Sequence, residues 1–174
     1  MADTTLWIGV LTAGTAVIAS WVTSWGTARA ARIQADAGAR SQRAVRIRET
    51  RRAAYVDLIE QAHRIAELYW RVTELHRSGA HEENVVAFKE LRSSLRKEYG
   101  QLRNLVWIVT LEGPDSVARA AEQMRLATQP RFRALGALIE GRPDAARDFD
   151  ALEDPYWKTI HDFVAAAKAA VHDM

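Results

Sequence analysis

The residues best placed to do chemistry are an acid and a histidine three residues apart, Glu60 and His63. Di-iron carboxylate bundles use a Glu-x-x-His pair on one helix face, and they need a second pair on another helix. Neither His161 nor His172 has a glutamate three residues earlier, so the pair is not repeated. The sequence therefore predicts a charged helix surface here rather than a metal site.

Other catalytic patterns do not occur in the sequence. It has no cysteine, no glycine-rich phosphate loop, no nucleophile elbow and no two histidines at helical i, i+4 spacing. His76 and His81 flank Gly79 with no acidic residue between them, so we expect loop histidines there. We expect no catalytic residue, no cofactor, no metal ligand and a non-enzymatic role.

Seven aromatic residues could either pack in a core or line a ligand pocket: Tyr55, Tyr69, Trp70, Tyr99, Trp107, Tyr156 and Trp157. Aromatic residues at helical spacing usually belong to a core, where Tyr and Trp bury area and keep a polar tip. We therefore expect core positions, with a pocket as the alternative.

The chain that would position these residues consists of three segments that differ in charge. Its 174 residues are 48% hydrophobic, which excludes disorder throughout and favours one domain. Residues 1–28 contain one charged residue, Asp3, and form a predicted anchor. Residues 29–52 are a neck with eight arginines and two acids, a net charge of +6. Residues 53–174 are a helical body with 16 basic and 19 acidic residues, a net charge of −3.

Residues 5–25 predict a helix that crosses a membrane once. Thirteen of these 21 residues are apolar, and a helix of that length covers about 30 Å. Trp7 lies at one end and Trp21 and Trp25 at the other, at the headgroup levels that indoles prefer. A cleaved signal peptide would need a basic start, and a buried bundle helix would need an amphipathic pattern. Both remain alternatives.

One face of the predicted span is made of small or hydroxylated residues. At 100° per residue they share one stripe: Gly9, Thr12, Ala13, Ala16, Ser20, Thr23 and Thr27. Trp7, Leu11, Ile18 and Trp25 fall on the opposite side. Small residues let membrane helices approach closely, so the stripe predicts self-association into a homo-oligomer. The alternative is that small residues are simply common in an alanine-rich chain.

Basic residues follow the predicted span closely, and none precedes it. This asymmetry predicts an N-terminus outside the cell membrane and a cytoplasmic C-terminal domain. Four arginines are expected to lie at the membrane surface: Arg29, Arg32, Arg40 and Arg43. There, anionic headgroups would contribute about 1 kcal/mol per residue. Solvation alone is an alternative, and nucleic acid is disfavoured because no aromatic residue lies between Gly26 and Tyr55 to stack on bases.

The neck arginines also repeat. Arg29, Arg40 and Arg51 recur at 11 residues, a spacing that keeps them on one side of a helix. The neck is therefore predicted to be a helix with a basic stripe.

Beyond the neck, apolar residues at coiled-coil-like heptad spacing predict an antiparallel helical hairpin. The first seam consists of Ala54, Leu58, Ile65, Leu68, Val72 and Leu75, before a stop at Ser78-Gly79. The second, over about residues 82–111, consists of Phe88, Leu91, Leu95, Tyr99, Leu102, Val106 and Val109. The apolar run 105–111 is expected to be the most buried part of the hairpin.

Prolines and glycines set the remaining boundaries. Gly113-Pro114-Asp115 is predicted to start a third helix, which Pro130 should break before a short piece over residues 132–139. The last helix is expected after Asp154, with Pro155 in its first turn. The predicted fold is all-α, with an N-terminal transmembrane helix continuing into a long helix of an antiparallel bundle of about four helices.

Two short segments carry a resemblance to known proteins. They are Arg51-Arg52-Ala53-Ala54-Tyr55-Val56 and Leu111-Glu112-Gly113-Pro114-Asp115-Ser116-Val117, in a chain with a Trp-flanked span and an arginine-rich neck. This order resembles small single-span membrane proteins of high-GC Gram-positive bacteria, their phages and mobile elements. The resemblance implies a single-pass membrane protein, but no activity and no site residue.

Two functions from different classes fit these features. The first is a membrane-tethered, non-enzymatic interaction or adaptor protein that self-associates through its span, binds the lipid bilayer and meets a cytoplasmic protein partner. The second is a small oligomeric pore or membrane effector, for example in phage exclusion or defence, in which the small-residue stripe lines a pore. An enzyme with an unrecognised site is a third possibility.

Overall fold

A computed structural model describes the backbone of residues 2–79 and 81–172, and the side chains of residues 34, 36, 38–79 and 83–172. The helices are α1 (Ala2–Arg77), α2 (His81–Glu112), α3 (Asp115–Ile139), α4 (Ala145–Asp150) and α5 (Glu153–His172). These residues contain no strand, which confirms the predicted all-α class. The chain divides into two units, residues 1–47 and residues 48–174.

The first helix ends at the predicted glycine. Gly79 has a φ angle of 77°, in the left-handed region that residues with a Cβ atom rarely adopt. The carbonyl oxygen of Leu75 accepts hydrogen bonds from Ser78 Oγ at 2.6 Å and from Asn84 Nδ2 at 3.0 Å. These bonds cap α1 and fix the start of α2.

Within residues 48–112, α1 and α2 pack antiparallel. Side-chain to backbone hydrogen bonds join Asn84 to Leu75, Gln61 to Glu98 and Arg51 to Glu112, so residue numbers rise along one helix as they fall along the other. The central heptad residues are fully buried: Leu58, Ile65, Val72, Phe88, Leu95, Leu102 and Val109. The predicted hairpin is therefore confirmed.

The predicted helix break at Pro130 is wrong, because α3 continues to Ile139. A proline cannot donate to the carbonyl four residues earlier, and its ring crowds that carbonyl. Side chains of other helices bond to the same turn at a different carbonyl, that of Thr128. The hydroxyls of Tyr69 and Tyr99 hydrogen-bond to each other, and Tyr69 Oη donates to the Thr128 carbonyl at 3.1 Å. Contacts with other helices thus outweigh the tendency of Pro130 to end the helix.

The last helix begins at Glu153, slightly before the predicted start after Asp154, and packs antiparallel to α1. Tyr156 Oη donates to the Ala62 carbonyl at 2.9 Å. Farther along, the ring of Phe163 meets Tyr55 edge-on, with centroids 6.1 Å apart. The short α4, which the sequence analysis did not predict, buries the Phe149 ring 5.7 Å from that of Tyr69.

The expectation that residues 105–111 are the most buried part of the hairpin is also wrong. Val106 and Val109 lie in the core, whereas Trp107 is 62% exposed and Leu111 is 80% exposed. Successive residues of a helix are rotated by 100°, so the side chains of an apolar run point to every side of the helix. All of them are buried only where other helices surround it. The bundle covers one side of α2 here, and the other side leaves large apolar groups in solvent.

Candidate functional site

The structure describes only some of the predicted site residues. The side chains of the predicted self-association residues, Gly9, Thr12, Ala13, Ala16, Ser20 and Thr23, lie outside the described set, as do those of Arg29 and Arg32. Arg40 and Arg43 are exposed on α1. Arg51, which is predicted to share a stripe with Arg29 and Arg40, instead donates from Nε to the Glu112 carbonyl at the end of α2. Arg51 therefore belongs to the bundle.

Among the residues with described side chains, no helix has an apolar stretch long enough to cross a membrane. The predicted span over residues 5–25 lies outside those residues. The anchor, its topology and its self-association therefore stay predictions.

His63 lies on a helix surface and His76 at a helix end. Glu60 pairs with Arg64 at 3.9 Å, and His63 Nδ1 lies 2.8 Å from the Ile59 carbonyl oxygen. His76 is not a loop histidine, because it lies in the last turn of α1 with Nε2 2.9 Å from Asp150 Oδ1. Across the described chain, no group of three or more histidines and acids could hold a metal ion.

A long basic groove runs between α2 and α3, which pack against each other. It consists of two adjoining cavities of about 530 and 460 Å³ that share Arg103 and Arg125. Five arginines line it: Arg96, Arg103, Arg119, Arg125 and Arg133. Its α2 wall, from Arg96 to Thr110, is about 20 Å long at the rise of an α-helix. We call this surface the α2–α3 groove.

Helical spacing explains why these side chains line one surface. Arg96, Arg103 and Trp107 stand at i, i+7 and i+11 on α2, so they share a face beside the buried heptad seam. On α3, Arg125 and Phe132 stand at i and i+7 and share a face in the same way. Packing α2 on α3 brings the two faces together as the walls of one groove.

The groove carries an excess of positive charge. Arg125 donates to both carboxylate oxygens of Glu122, from Nε at 2.8 Å and from Nη2 at 2.6 Å. These hydrogen bonds hold the pKa of Glu122 below its usual value and raise the pKa of Arg125. Glu122 is the one acid in the groove's lining, so five arginines and one glutamate leave a net charge of +4.

The remaining groove arginines lack acidic partners. In the described part of the chain, Arg96, Arg103 and Arg119 form no ion pair, and all three are exposed. Arg133 donates to the neutral amide oxygen of Gln129 at 3.4 Å. These guanidinium groups are therefore available to an anionic ligand.

Aromatic rings form part of the groove floor. Tyr99 and Phe132 pack edge-on with centroids 5.3 Å apart, and the guanidinium of Arg92 lies 5.1 Å from the centre of the Phe132 ring. Trp107 projects from the α2 wall. The groove thus combines an apolar floor with basic edges. Arginine stays protonated at neutral pH and presents a planar fork of donors, so these residues are suited to binding carboxylates rather than to transferring protons.

The sequence did not predict the α2–α3 groove. The net charge of −3 over residues 53–174 conceals it, because acids elsewhere outnumber the local arginines. The spacing of Arg96, Arg103 and Trp107 was a detectable signal on α2. The contribution of α3 was not detectable, because it depends on which helices pack together.

Comparison of the chain with protein families, with curated proteins and with solved structures gave no match. The resemblance to small single-span proteins therefore stays a prediction, and the site is interpreted from its own chemistry.

Proposed function

We propose that this protein is a membrane-tethered, non-enzymatic interaction module that binds an acidic segment of a protein partner in the α2–α3 groove. The observation that carries the proposal is a set of four arginines without acidic partners, Arg96, Arg103, Arg119 and Arg133, beside an apolar floor. Aspartate and glutamate side chains would supply the missing counter-charges through bidentate hydrogen bonds. Apolar side chains of the same segment would cover the floor.

The packing of the aromatic rings in the groove floor favours a peptide ligand over a single-stranded nucleic acid. Bases bind by stacking on exposed aromatic faces. Trp107 offers such a face, but Tyr99 and Phe132 pack edge-on against each other, and Arg92 lies over the Phe132 ring. A groove between two helices instead accepts an amphipathic helix, with apolar anchors inward and acidic residues toward the edges.

The tether rests on the sequence. An apolar segment over residues 5–25, followed by Arg29, Arg32, Arg40 and Arg43, supports an anchor with the helical domain on the cytoplasmic side. The small-residue stripe from Gly9 to Thr23 supports self-association of that anchor. Confinement to a membrane surface would raise the effective concentration of the domain near a membrane-bound partner.

The groove is tested with a fluorescent amphipathic peptide that carries leucines on one helical face and glutamates beside them. Its anisotropy is measured with the full-length protein in a mild detergent. We expect binding that weakens with salt, and a loss of about tenfold or more for Arg103→Glu, since a hydrogen bond between charged groups contributes about 1.5–3 kcal/mol. Arg71→Glu is the matched control, because Arg71 is exposed on α1 outside the groove.

An equal loss in Arg71→Glu would contradict the proposal, because it would indicate non-specific attraction. Tighter binding of a single-stranded oligonucleotide than of the peptide, sensitive to Arg103→Glu, would identify the partner as nucleic acid.

A further inference from the structure

A separate cavity of about 230 Å³ lies between α1 and the beginning of α5. Two tryptophans and two glutamates are among the residues that line it: Trp70, Trp157, Glu67 and Glu153. Arg131 of α3 lines it from the bundle interior. The cavity shares no residue with the α2–α3 groove.

Arg131 is a buried cation with an unused donor. Its side chain is 2% exposed, and its guanidinium carbon lies 4.6 Å from the centre of the Tyr69 ring and 4.9 Å from that of Phe149. Its Nη2 atom forms an ion pair with Glu153 Oε2 at 3.8 Å, a distance too long for a hydrogen bond. Its buried Nε–H has no hydrogen-bond partner in the described chain. A buried donor left unbonded is costly, so an acceptor that reached it would be favoured.

The open side of the cavity has the opposite chemistry. Glu67 is exposed on α1, and Glu153 is half-buried at the start of α5. The indole of Trp70 is held by a 3.0 Å hydrogen bond from Nε1 to Glu74 Oε1. The indole of Trp157 packs against His63 with centroids 5.6 Å apart. Carboxylates beside indole rings attract an ammonium group and apolar side chains.

We propose that this cavity binds a small zwitterion, an α-amino acid with an apolar side chain. Its carboxylate accepts from Arg131, its ammonium group lies at Glu67 and Glu153, and its side chain lies between Trp70 and Trp157. A simple anion would meet two glutamates, and a simple cation would face Arg131. The volume is below the roughly 300–1,000 Å³ of pockets for drug-sized ligands, which favours a ligand the size of a single amino acid.

The test uses isothermal titration calorimetry on the full-length protein in a mild detergent, with L-leucine as the probe. Leucinamide lacks the carboxylate and N-acetyl-L-leucine lacks the ammonium group. We expect each analogue to bind at least about tenfold more weakly than leucine, because each loses one charge-assisted contact. The chain has six tryptophans, and the indole NMR signals of Trp70 and Trp157 should move with leucine while that of Trp107 stays in place.

Two variants separate the charged contacts. Glu67→Gln should weaken leucine binding about threefold or more, and it should not weaken the binding of N-acetyl-leucine, an anion that Glu67 repels. The matched control is Glu60→Gln, on the exposed face of α1 two turns earlier and outside the cavity. Arg131→Lys should reduce the preference for leucine over leucinamide, with circular dichroism checking the fold.

Equal affinity for leucine and both analogues would overturn the proposal, as would the absence of heat at millimolar leucine. Shifts confined to tryptophans other than Trp70 and Trp157 would also overturn it. If Arg131→Lys does not fold, the leucine affinities of Glu67→Gln and Glu60→Gln still test the proposal, and equal affinities of the two variants would overturn it.

Discussion

At the scale of single residues, the bundle is distinguished by tyrosines that keep their hydroxyls away from water. Burial is the main cause that raises the pKa of all four: Tyr55, Tyr69, Tyr99 and Tyr156. Tyr69 and Tyr99 share a hydrogen bond, and Tyr156 binds the α1 backbone. The neutral phenols therefore hold α1, α2, α3 and α5 together, and their ionisation opposes folding.

We predict that Tyr69, Tyr99 and Tyr156 ionise only as the protein unfolds. A group whose pKa is raised in the folded state contributes stability below its unfolded value of 10, and that contribution is lost as the pH rises through the folded value. Tyrosinate absorbance and helical circular dichroism, followed together from neutral to alkaline pH, should change together above pH 10. Ionisation of all the tyrosines with a midpoint at pH 10, without any loss of helical circular dichroism, would contradict this prediction.

The residue types alone predicted part of this arrangement. Tyr55, Tyr69 and Tyr156 are buried, as expected for aromatic residues at helical spacing, whereas Trp70 and Trp107 are exposed. Helical spacing indicates which residues share a face. It does not indicate whether another helix covers that face, and this is why a pocket-lining position for Trp70 and Trp157 was only the alternative to a core position.

At the scale of elements, helix ends and seams were readable because they depend on local chemistry. Gly79 and the heptads predicted the α1–α2 hairpin. Pro130 was misjudged because the support for its turn comes from Tyr69 and Tyr99, which are distant in sequence. The α2–α3 groove was missed for the same reason: its two walls meet only through tertiary packing.

Gly113, in the turn between α2 and α3, gives a prediction about one of these ends. A Cβ atom there would lie 2.8 Å from the Val109 carbonyl oxygen and 2.9 Å from Tyr55 Oη, a buried atom with no hydrogen-bond partner among the described residues. We expect Gly113→Ala to lower the free energy of unfolding by about 1–3 kcal/mol, because the backbone oxygen cannot move aside. Denaturant unfolding followed by circular dichroism measures the change.

Gly100, inside α2, is the matched control. A Cβ atom there meets nothing within 4 Å, so Gly100→Ala should raise the free energy of unfolding by about 0.5–1 kcal/mol through helix propensity. Equal stability of the two variants would show that the turn at Gly113 is not closely packed.

At the scale of the whole molecule, the net charge of a sequence segment does not show how charge is distributed over its surface. The groove carries +4 and residues 53–174 carry −3 in total, so the rest of that segment carries −7. An acidic ligand would be attracted to one surface of the domain and repelled by the others. The overall charge of +2 gave no indication of this contrast.

The proposed function requires one chain both to anchor to a membrane and to recruit an acidic segment through its α2–α3 groove. A flotation experiment tests both the anchor and the groove. The full-length protein is reconstituted with neutral phosphatidylcholine vesicles and mixed with the fluorescent acidic peptide. The mixture is then centrifuged through a density gradient. We predict that protein and peptide float together, that Arg103→Glu protein floats without peptide, and that protein lacking residues 1–28 stays at the bottom with the peptide bound. Full-length protein at the bottom would contradict the anchor, and wild-type protein floating without peptide would contradict the groove.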